Sequence, residues 1–277
     1  MEQLEQHILL NNYLIKGKTS VKPINDVYSN GKFRSSEDSI YINSDDSIVG
    51  LADGAGGTGV FAKEWGEFLI ANLPKSPIKS IKDVDNFIDK HWNSFYTDHS
   101  EIADTFLKSK FENEGSSATM FAVWFTNQEL NLFSYGDAIA FKWNYKYKDF
   151  QVFSSLNDIN ELNSNPYLIN WKTESHDESG LYTDSITLQK DEVLLIASDA
   201  FAAHIWSSYL SLHSSGVHSN KIATLIQNFS IKNFDHFIDE LKNIIDNQDL
   251  FERYCNNQVE ADTLWNDDCS LLIIQHI

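Results

Sequence analysis

The sequence is short of cysteine, of positive charge and of long apolar runs, and each shortage excludes a class of protein. Cys255 and Cys269 are the only cysteines in 277 residues, which excludes a disulfide framework and a four-cysteine zinc site and favours a reduced, intracellular setting. The formal net charge is −19, from 40 acidic and 21 basic residues. This balance argues against nucleic acid as the main partner, because phosphate backbones are bound by Lys and Arg.

Membrane and secretory classes are also disfavoured. No run approaches the roughly 20 apolar residues that cross a bilayer. The first residues begin acidic and lack the basic region followed by an apolar stretch that is typical of a signal peptide. We therefore expect a soluble, cytoplasmic protein with no membrane partner, and we expect it to be monomeric.

What the chain does contain is enough apolar material for a large core, since 42% of its residues are hydrophobic and 7 Trp, 11 Tyr and 18 Phe are present. Strand patterns and helix patterns come in separate runs, which favours an α+β fold. We expect one domain over residues 1–277, with 1–25 as an N-terminal extension or first strand region.

The hydrophobic pattern along the chain alternates between the period of a strand and that of a helix. Residues 38–52 predict a hairpin with its turn at Asn43, and a helix is predicted from Val60 to Leu73. Two amphipathic helices are predicted within 81–112, the second with Ile102, Ala103, Phe106 and Leu107 on its apolar stripe. Residues 117–155 predict an antiparallel meander, 201–254 are mostly helical by pattern, and a buried strand starts at Cys269. Segments 157–180 and 200–220 are expected to be loops that set substrate choice.

Short acidic segments are the strongest functional signal. They lie beside apolar β-like runs: Glu37-Asp38, Asp53-Gly54, Gly136-Asp137, Ser198-Asp199 and Asp267-Asp268. Carboxylates raised to the edge of a sheet from distant parts of a chain can together hold hard divalent cations, which prefer oxygen ligands. Each segment alone is also what a helix cap or a turn requires. Their recurrence at strand ends favours a shared cation site.

These segments resemble, in order and spacing, the motifs of the metal-dependent protein serine/threonine phosphatases of the protein phosphatase 2C type. Six matches run from about residue 30 to the C-terminus: Ser36-Glu-Asp-Ser39, Asp53-Gly-Ala-Gly-Gly57, Gly115-Ser-Ser-Ala-Thr119, Tyr135-Gly-Asp-Ala138, Ser198-Asp-Ala200 and Asp267-Asp-Cys-Ser270. The resemblance implies a four-layer α-β-β-α sandwich with two packed, mostly antiparallel sheets. It also implies hydrolysis of phosphomonoesters by attack of a metal-bridging hydroxide.

The resemblance further implies a set of ligands for two Mg²⁺ or Mn²⁺ ions. Asp53 would bridge both ions, Glu37 and the carbonyl of Gly54 would complete one, and Asp199 and Asp267 would complete the other. Asp38 would orient water as a catalytic residue, and Asp137 with Asp199 would hold a weaker third ion. Arg34 would bind the phosphate.

The chain departs from the family pattern at several positions. Arg34 lies three residues before Glu37 instead of four. Ala55 replaces the His that is a candidate general acid in many eukaryotic members, Ala200 replaces a Gly, and Ala138-Ile139 replaces Ser-Arg. The general acid is therefore unassigned.

Three functions stay open from the sequence. The first is a phosphatase of phosphorylated Ser or Thr in proteins, whose partner is a phosphorylated protein substrate. The second is a non-catalytic binding or regulatory module on the same fold. The third is a phosphatase of small phosphorylated metabolites.

Overall fold

The structure is a computed structural model that describes residues 7–10, 12–22, 36–126, 129–213 and 218–277. Arg34 and Asn127-Gln128, where the sequence predicts a turn, lie outside the described residues. Within them the strands are β1 His7–Leu10, β2 Tyr13–Ser20, β3 Asp38–Asn43, β4 Ile48–Gly54, β5 Ser117–Thr126, β6 Glu129–Tyr135, β7 Ile139–Asn144, β8 Asp149–Phe153, β9 Ile169–Asn170, β10 Leu181–Ile186, β11 Glu192–Ala197 and β12 Cys269–His276. The α-helices are α1 Ala62–Ala71, α2 Ile81–His99, α3 Thr105–Glu114, α4 Asp199–His213, α5 Asn220–Asn228, α6 Phe234–Ile244 and α7 Gln248–Glu260.

The strands form two antiparallel sheets. Sheet 1 has the order β1-β2-β12-β11-β7-β8, and sheet 2 has the order β10-β6-β5-β4-β3 with β9 paired to β5. Helices α1–α3 pack on the outer face of sheet 2, and α4–α7 pack on the outer face of sheet 1. A third apolar cluster, with side chains from both sheets, fills the layer between them. The α+β, four-layer sandwich expected from the sequence is confirmed.

Residue alternation explains how the central strands serve two clusters. In β5, Met120, Ala122 and Trp124 pack under the helices, whereas Phe121 and Val123 point into the layer between the sheets. Such strands are buried on both faces, and for this reason their sequences read as continuous apolar runs.

Local signals set several element boundaries. The β3–β4 hairpin closes where the side chain of Asn43 accepts a hydrogen bond from the Asp46 amide at 3.0 Å. Helix α2 starts after Ser80, and α3 after Asp104, each of which accepts hydrogen bonds from first-turn amides. The predicted hairpin, the helix after residue 60 and the helical 201–254 region are confirmed.

Three predictions about local structure are wrong. The meander over 117–155 is two hairpins, because β6 belongs to sheet 2 and β7 to sheet 1, and the chain crosses between the sheets at Gly136-Asp137. Helix α3 buries Phe111, while Phe106 and Leu107 are 74% and 42% exposed. The segment predicted as a loop from residue 200 is helix α4 as far as His213.

The 157–180 segment is irregular, as expected, but anchored: Ile159, Leu162, Ile169 and His176 are buried. Among the described residues, none of the helices combines the length and the apolar character needed to cross a membrane.

Candidate metal centre

The acidic side chains lie at one end of the layer between the two sheets. Asp38 and Asp53 are register partners in the β3–β4 hairpin, and Asp53 is also opposite Thr119 of β5. Asp53 and Thr119 lie two residues from Leu51 and Phe121 and share their strand faces, which point into the apolar layer between the sheets. The core between the sheets therefore ends in carboxylates and a hydroxyl at this edge.

Sheet 1 supplies the opposite side of the site. Strand β11 ends at Ala197, and Asp199 begins α4 two residues later. Asp267 and Asp268 directly precede β12, whose Leu271 pairs with Ala197. Carboxylates from both sheets thus reach the same end of the sandwich.

A pocket of about 340 Å³ collects these groups. Its lining residues are Lys22, Glu37, Asp53, Gly54, Ala55, Gly56, Gly57, Thr119, Asp199, Asp267 and Asp268. Sequence positions more than 200 residues apart contribute to it, so the pocket exists only in the folded chain. We call it the acid pocket.

The carboxylates are close enough to perturb one another. Burial raises the pKa of Asp53 well above its ordinary value, and the negative charges of Asp38, Asp199 and Asp137 raise this pKa further. Burial likewise raises the pKa of Asp199, with added repulsion from Asp137 and Asp267. Five acids from five separate segments therefore share one electrostatic environment.

Two of these acids lie beneath the pocket surface. Asp38 and Asp137 are buried, and desolvation raises the pKa of Asp38 to about 7 and that of Asp137 to about 6. Asp53 and Asp199 keep an edge exposed toward the pocket, and Asp267 lies at its exposed rim. Three acids are thus accessible from the pocket, and two buried acids lie behind them.

Glu37 is held in place by backbone groups. The Gly54 amide donates to the Glu37 carbonyl at 3.2 Å, and the Gly56 amide donates to Glu37 Oε2 at 3.3 Å. The Glu37 amide in turn donates to Asp268 Oδ2 at 2.7 Å, while the Lys22 amide donates to Asp268 Oδ1 at 2.8 Å. Asp268 therefore ties the end of β2 in sheet 1 to the start of β3 in sheet 2.

The donor set fits hard divalent cations. Several buried oxygens at this edge have no partner with full hydrogen-bond geometry within the described residues: both oxygens of Asp38, Asp137 Oδ1, Thr119 Oγ1 and Ser270 Oγ. The hydroxyls of Ser198 and Ser270 nevertheless lie close enough to lower the pKa of Asp38, and the Thr119 hydroxyl lowers that of Asp137. Buried polar atoms are almost always satisfied, so such a cluster indicates a site for water and ions. Negative charge of this density is offset either by protons, as the raised pKa values of these acids indicate, or by a bound cation.

The acids do not yet form a finished ligand cage. Across the described part of the chain, no three His, Cys, Asp or Glu side chains form a group that could hold a metal ion as they stand. Side-chain adjustment around the acid pocket is therefore part of any cation binding here.

The residues predicted from the sequence are mostly brought together. The acid pocket is lined by Glu37, Asp53, Gly54, Asp199 and Asp267. The buried Asp38 and Asp137 do not line it, but their negative charges raise the pKa values of Asp53 and Asp199. Arg34 lies outside the described residues. Sequence reasoning missed Lys22 as a lining residue and the clamp made by Asp268, since neither a single lysine nor the second acid of a pair carries a motif of its own.

Comparison with solved structures identifies the fold. A serine/threonine phosphatase from S. agalactiae superimposes with a TM-score of 0.51 at 14% sequence identity, covering 96% of this chain and 100% of that one. PppA, described as a key regulatory component of T6SS in Pseudomonas aeruginosa, also gives a TM-score of 0.51, at 10% identity, covering 96% and 98%. The chain therefore has the fold of the serine/threonine phosphatases of the 2C type.

Comparison by sequence adds nothing to this result. No family model matches the chain, and no curated protein matches it.

Proposed function

We propose that this protein is a metal-dependent phosphatase that hydrolyses phosphomonoesters of Ser or Thr in proteins. The observation that carries the proposal is the acid pocket, in which carboxylates from both sheets converge at one end of the sandwich. The fold shared with serine/threonine phosphatases supports it.

Two Mg²⁺ or Mn²⁺ ions would be held by Glu37, Asp53 and the Gly54 carbonyl on one side and by Asp53, Asp199 and Asp267 on the other. When bound, such a pair supplies a water that ionises near neutral pH and positive charge for the phosphoryl oxygens. Asp137, whose charge raises the pKa of Asp199, would hold a weaker third ion together with Asp199.

The chain's own residues have distinct tasks around this centre. Asp38, buried beside Asp53, would orient the water that attacks. Lys22 is the only basic residue that lines the acid pocket within the described residues. Its ammonium would offset charge on the phosphoryl group. Ala55 lies on the wall and has no proton to give to the leaving oxygen.

The test is phosphate release from a phosphothreonine peptide in Mn²⁺, in Mg²⁺ and in chelator. We expect release that requires the metal and falls by at least about a hundredfold in Asp53→Asn and Asp199→Asn, since each substitution removes a charged ligand. Asp45→Asn, an exposed turn acid far from the pocket in the β3–β4 hairpin, is the matched control. Release that persists in chelator, or that is unchanged in Asp53→Asn, would reject the proposal.

A non-catalytic binding module is the second candidate, because the acids do not form a ready ligand group among the described residues. It predicts that the wild-type protein binds a phosphopeptide without releasing phosphate under any metal condition. Equal turnover of sugar phosphates and phosphopeptides would instead indicate a phosphatase of small metabolites.

A further inference from the structure

A second depression adjoins the acid pocket. It is a groove of about 620 Å³ that shares Asp199 and Asp267 with the acid pocket. Its other main walls come from Leu162, Thr224, Leu225, Val259 and Trp265. We call it the side groove. A phosphate placed over the shared carboxylates would therefore border this groove.

The walls of the side groove are fixed by hydrogen bonds on one side. Asn163 Nδ2 donates to Ser219 Oγ at 2.8 Å, and the Ser219 amide donates to Asn160 Oδ1 at 2.6 Å. These contacts fasten the 3-10 segment Ile159–Asn163 to the start of α5.

The other side is fixed in the same way. Asn228 Nδ2, at the end of α5, donates to the Asp262 carbonyl at 3.2 Å. The Leu264 amide donates to the Gln258 carbonyl at 3.2 Å, and Thr263 Oγ1 donates to Gln258 Oε1 at 2.6 Å. The groove is thus preformed, which lowers the entropic cost of binding a ligand in it.

The lining of the groove is mixed, with apolar side chains beside polar and charged ones. Leu225, Val259 and Leu264 provide an aliphatic floor, and Trp265 is a half-buried aromatic wall. The lining carries three acids, Asp199, Asp262 and Asp267, and one base, Lys221. Cations bound at Asp199 and Asp267, as the proposed function requires, would offset the two shared acids. Lys221 and Asp262 then have opposite signs, so neither an acidic nor a basic ligand gains a net attraction from them. Burial of an apolar side chain is the favourable interaction that remains.

We propose that the side groove binds an apolar side chain of a polypeptide substrate, at a position within two residues of the phosphorylated Ser or Thr. The inference rests on the proposed function and deepens it, since it selects peptides over small phosphorylated metabolites. Extended chain advances about 3.3 Å per residue, so only near neighbours of the phosphorylated residue can lie in a groove that borders the acid pocket.

The experiment uses phosphothreonine peptides in which a single Leu is moved through positions −3 to +3 in a background of Gly and Ser. We expect kcat/KM to rise at least about tenfold with Leu at one position within two residues of the phosphothreonine, the discrimination that a hydrophobic pocket provides. Asp at that position is expected to give no gain. Equal kcat/KM across the series would overturn the proposal.

Variants connect the preference to the groove. Thr224→Trp fills the groove from an exposed position on α5, and Gln227→Trp places the same side chain on an exposed position of α5 that does not line the groove. We expect Thr224→Trp to lower the ratio of Leu-peptide turnover to aryl phosphate turnover about tenfold, and Gln227→Trp to leave it unchanged. The same fall in both variants would overturn the assignment.

Binding separates this proposal from the proposed function. Anisotropy of the labelled Leu and Gly phosphopeptides is measured in Mn²⁺ for the wild type and for Thr224→Trp. If the wild type hydrolyses no substrate, the proposed function fails, whereas a Leu-dependent affinity that Thr224→Trp removes still supports the groove. Hydrolysis without any Leu-dependent affinity or turnover keeps the phosphatase and rejects the groove.

Discussion

Glycines after Asp53 allow Glu37 to approach the backbone. A Cβ on Gly56 would lie 2.7 Å from both carboxylate oxygens of Glu37, whereas a Cβ on Gly57 would have no heavy atom within 4 Å. A methyl group on Gly56 would thus clash with the Glu37 carboxylate, whereas a methyl group on the adjacent Gly57 would clash with no described residue. Only the first is required by the position of a predicted metal ligand.

This difference gives the first prediction. Gly56→Ala should displace the Glu37 carboxylate and raise the Mn²⁺ concentration for half-maximal activity about tenfold, as when a group that orients a ligand is changed. Gly57→Ala should leave it unchanged. The measurement is a Mn²⁺ titration of phosphate release and of thermal unfolding for both variants. An equal Mn²⁺ requirement in the two variants would show that Glu37 does not contact the ion.

Lys22 gives the second prediction. Removing its ammonium in Lys22→Ala removes a charge-assisted contact worth about 2 kcal/mol, so kcat/KM for a phosphopeptide should fall about 30-fold, while Lys22→Arg retains most of it. Inhibition by inorganic phosphate should weaken in parallel. Lys18→Ala, on β2, which ends two residues before Lys22, and absent from the acid pocket, should change neither quantity. A fall of equal size in Lys18→Ala would indicate a nonspecific charge effect.

At the level of elements, the sequence predicts most clearly where one local signal dominates. The β3–β4 hairpin is predictable because a polar turn at Asn43 separates two apolar strands. The division of the 117–155 strands between two sheets is not predictable from the sequence. Strands β6 and β7 are both almost wholly buried, so their hydrophobic patterns do not show which sheet each one joins. The apolar stripe predicted for α3 is wrong because Phe106 and Leu107 have helical spacing but stay 74% and 42% exposed.

The same reasoning applies to the site. Asp53, Asp199 and Asp267 were predictable because each follows or precedes an apolar run, and strand ends are where side chains leave the core. The position of Lys22 in the acid pocket and the presence of the side groove were not predictable, since both depend on which distant segments pack together. The contacts of Asp268 with the amides of Lys22 and Glu37 span more than 230 residues, and no local pattern encodes them.

Packing of helices α4 and α7 gives the third prediction, through His204. This residue is wholly buried, its Nδ1 donates to the Thr263 carbonyl at 2.7 Å, and its Nε2 accepts from the Tyr254 hydroxyl at 2.8 Å. Phe229 and Phe237 contact its ring. Burial lowers the pKa of His204 to about 4, and the pKa of Tyr254 is raised by burial, so both groups are neutral in the fold.

Because the folded pKa of His204 lies below its unfolded value near 6.5, the unfolded chain binds the proton first as the pH falls. His204 should therefore reduce the free energy of unfolding by about 3 kcal/mol between pH 7 and pH 4. Urea unfolding across this range should show a smaller decline in His204→Gln. His213→Gln, an exposed substitution on the same helix, is the control, and an equal pH dependence in His204→Gln and the wild type would contradict the prediction.

At the scale of the whole molecule, the acid pocket joins two layers that otherwise meet through apolar contacts. Asp38 and Asp53 belong to sheet 2, Asp199 and Asp267 follow or precede strands of sheet 1, and Asp137 lies where the chain crosses between the sheets. Without a cation, these acids repel each other across the sheet interface. A bound divalent ion would replace that repulsion with attraction to both layers.

Divalent cations should therefore stabilise the entire fold, and this is the fourth prediction. An ion at about 100 times its dissociation constant adds about 2.7 kcal/mol to the free energy of unfolding, which corresponds to a rise of about 5 °C or more in Tm for a chain of this size. NaCl at equal ionic strength should give a smaller rise, because it only screens the net charge of −19. Asp53→Asn should remove the Mn²⁺-specific part of the rise and, since it removes one repelling charge, should raise Tm in chelator. A Mn²⁺ response that NaCl reproduces, or that survives Asp53→Asn, would mean that the acids of the two sheets do not bind a common ion.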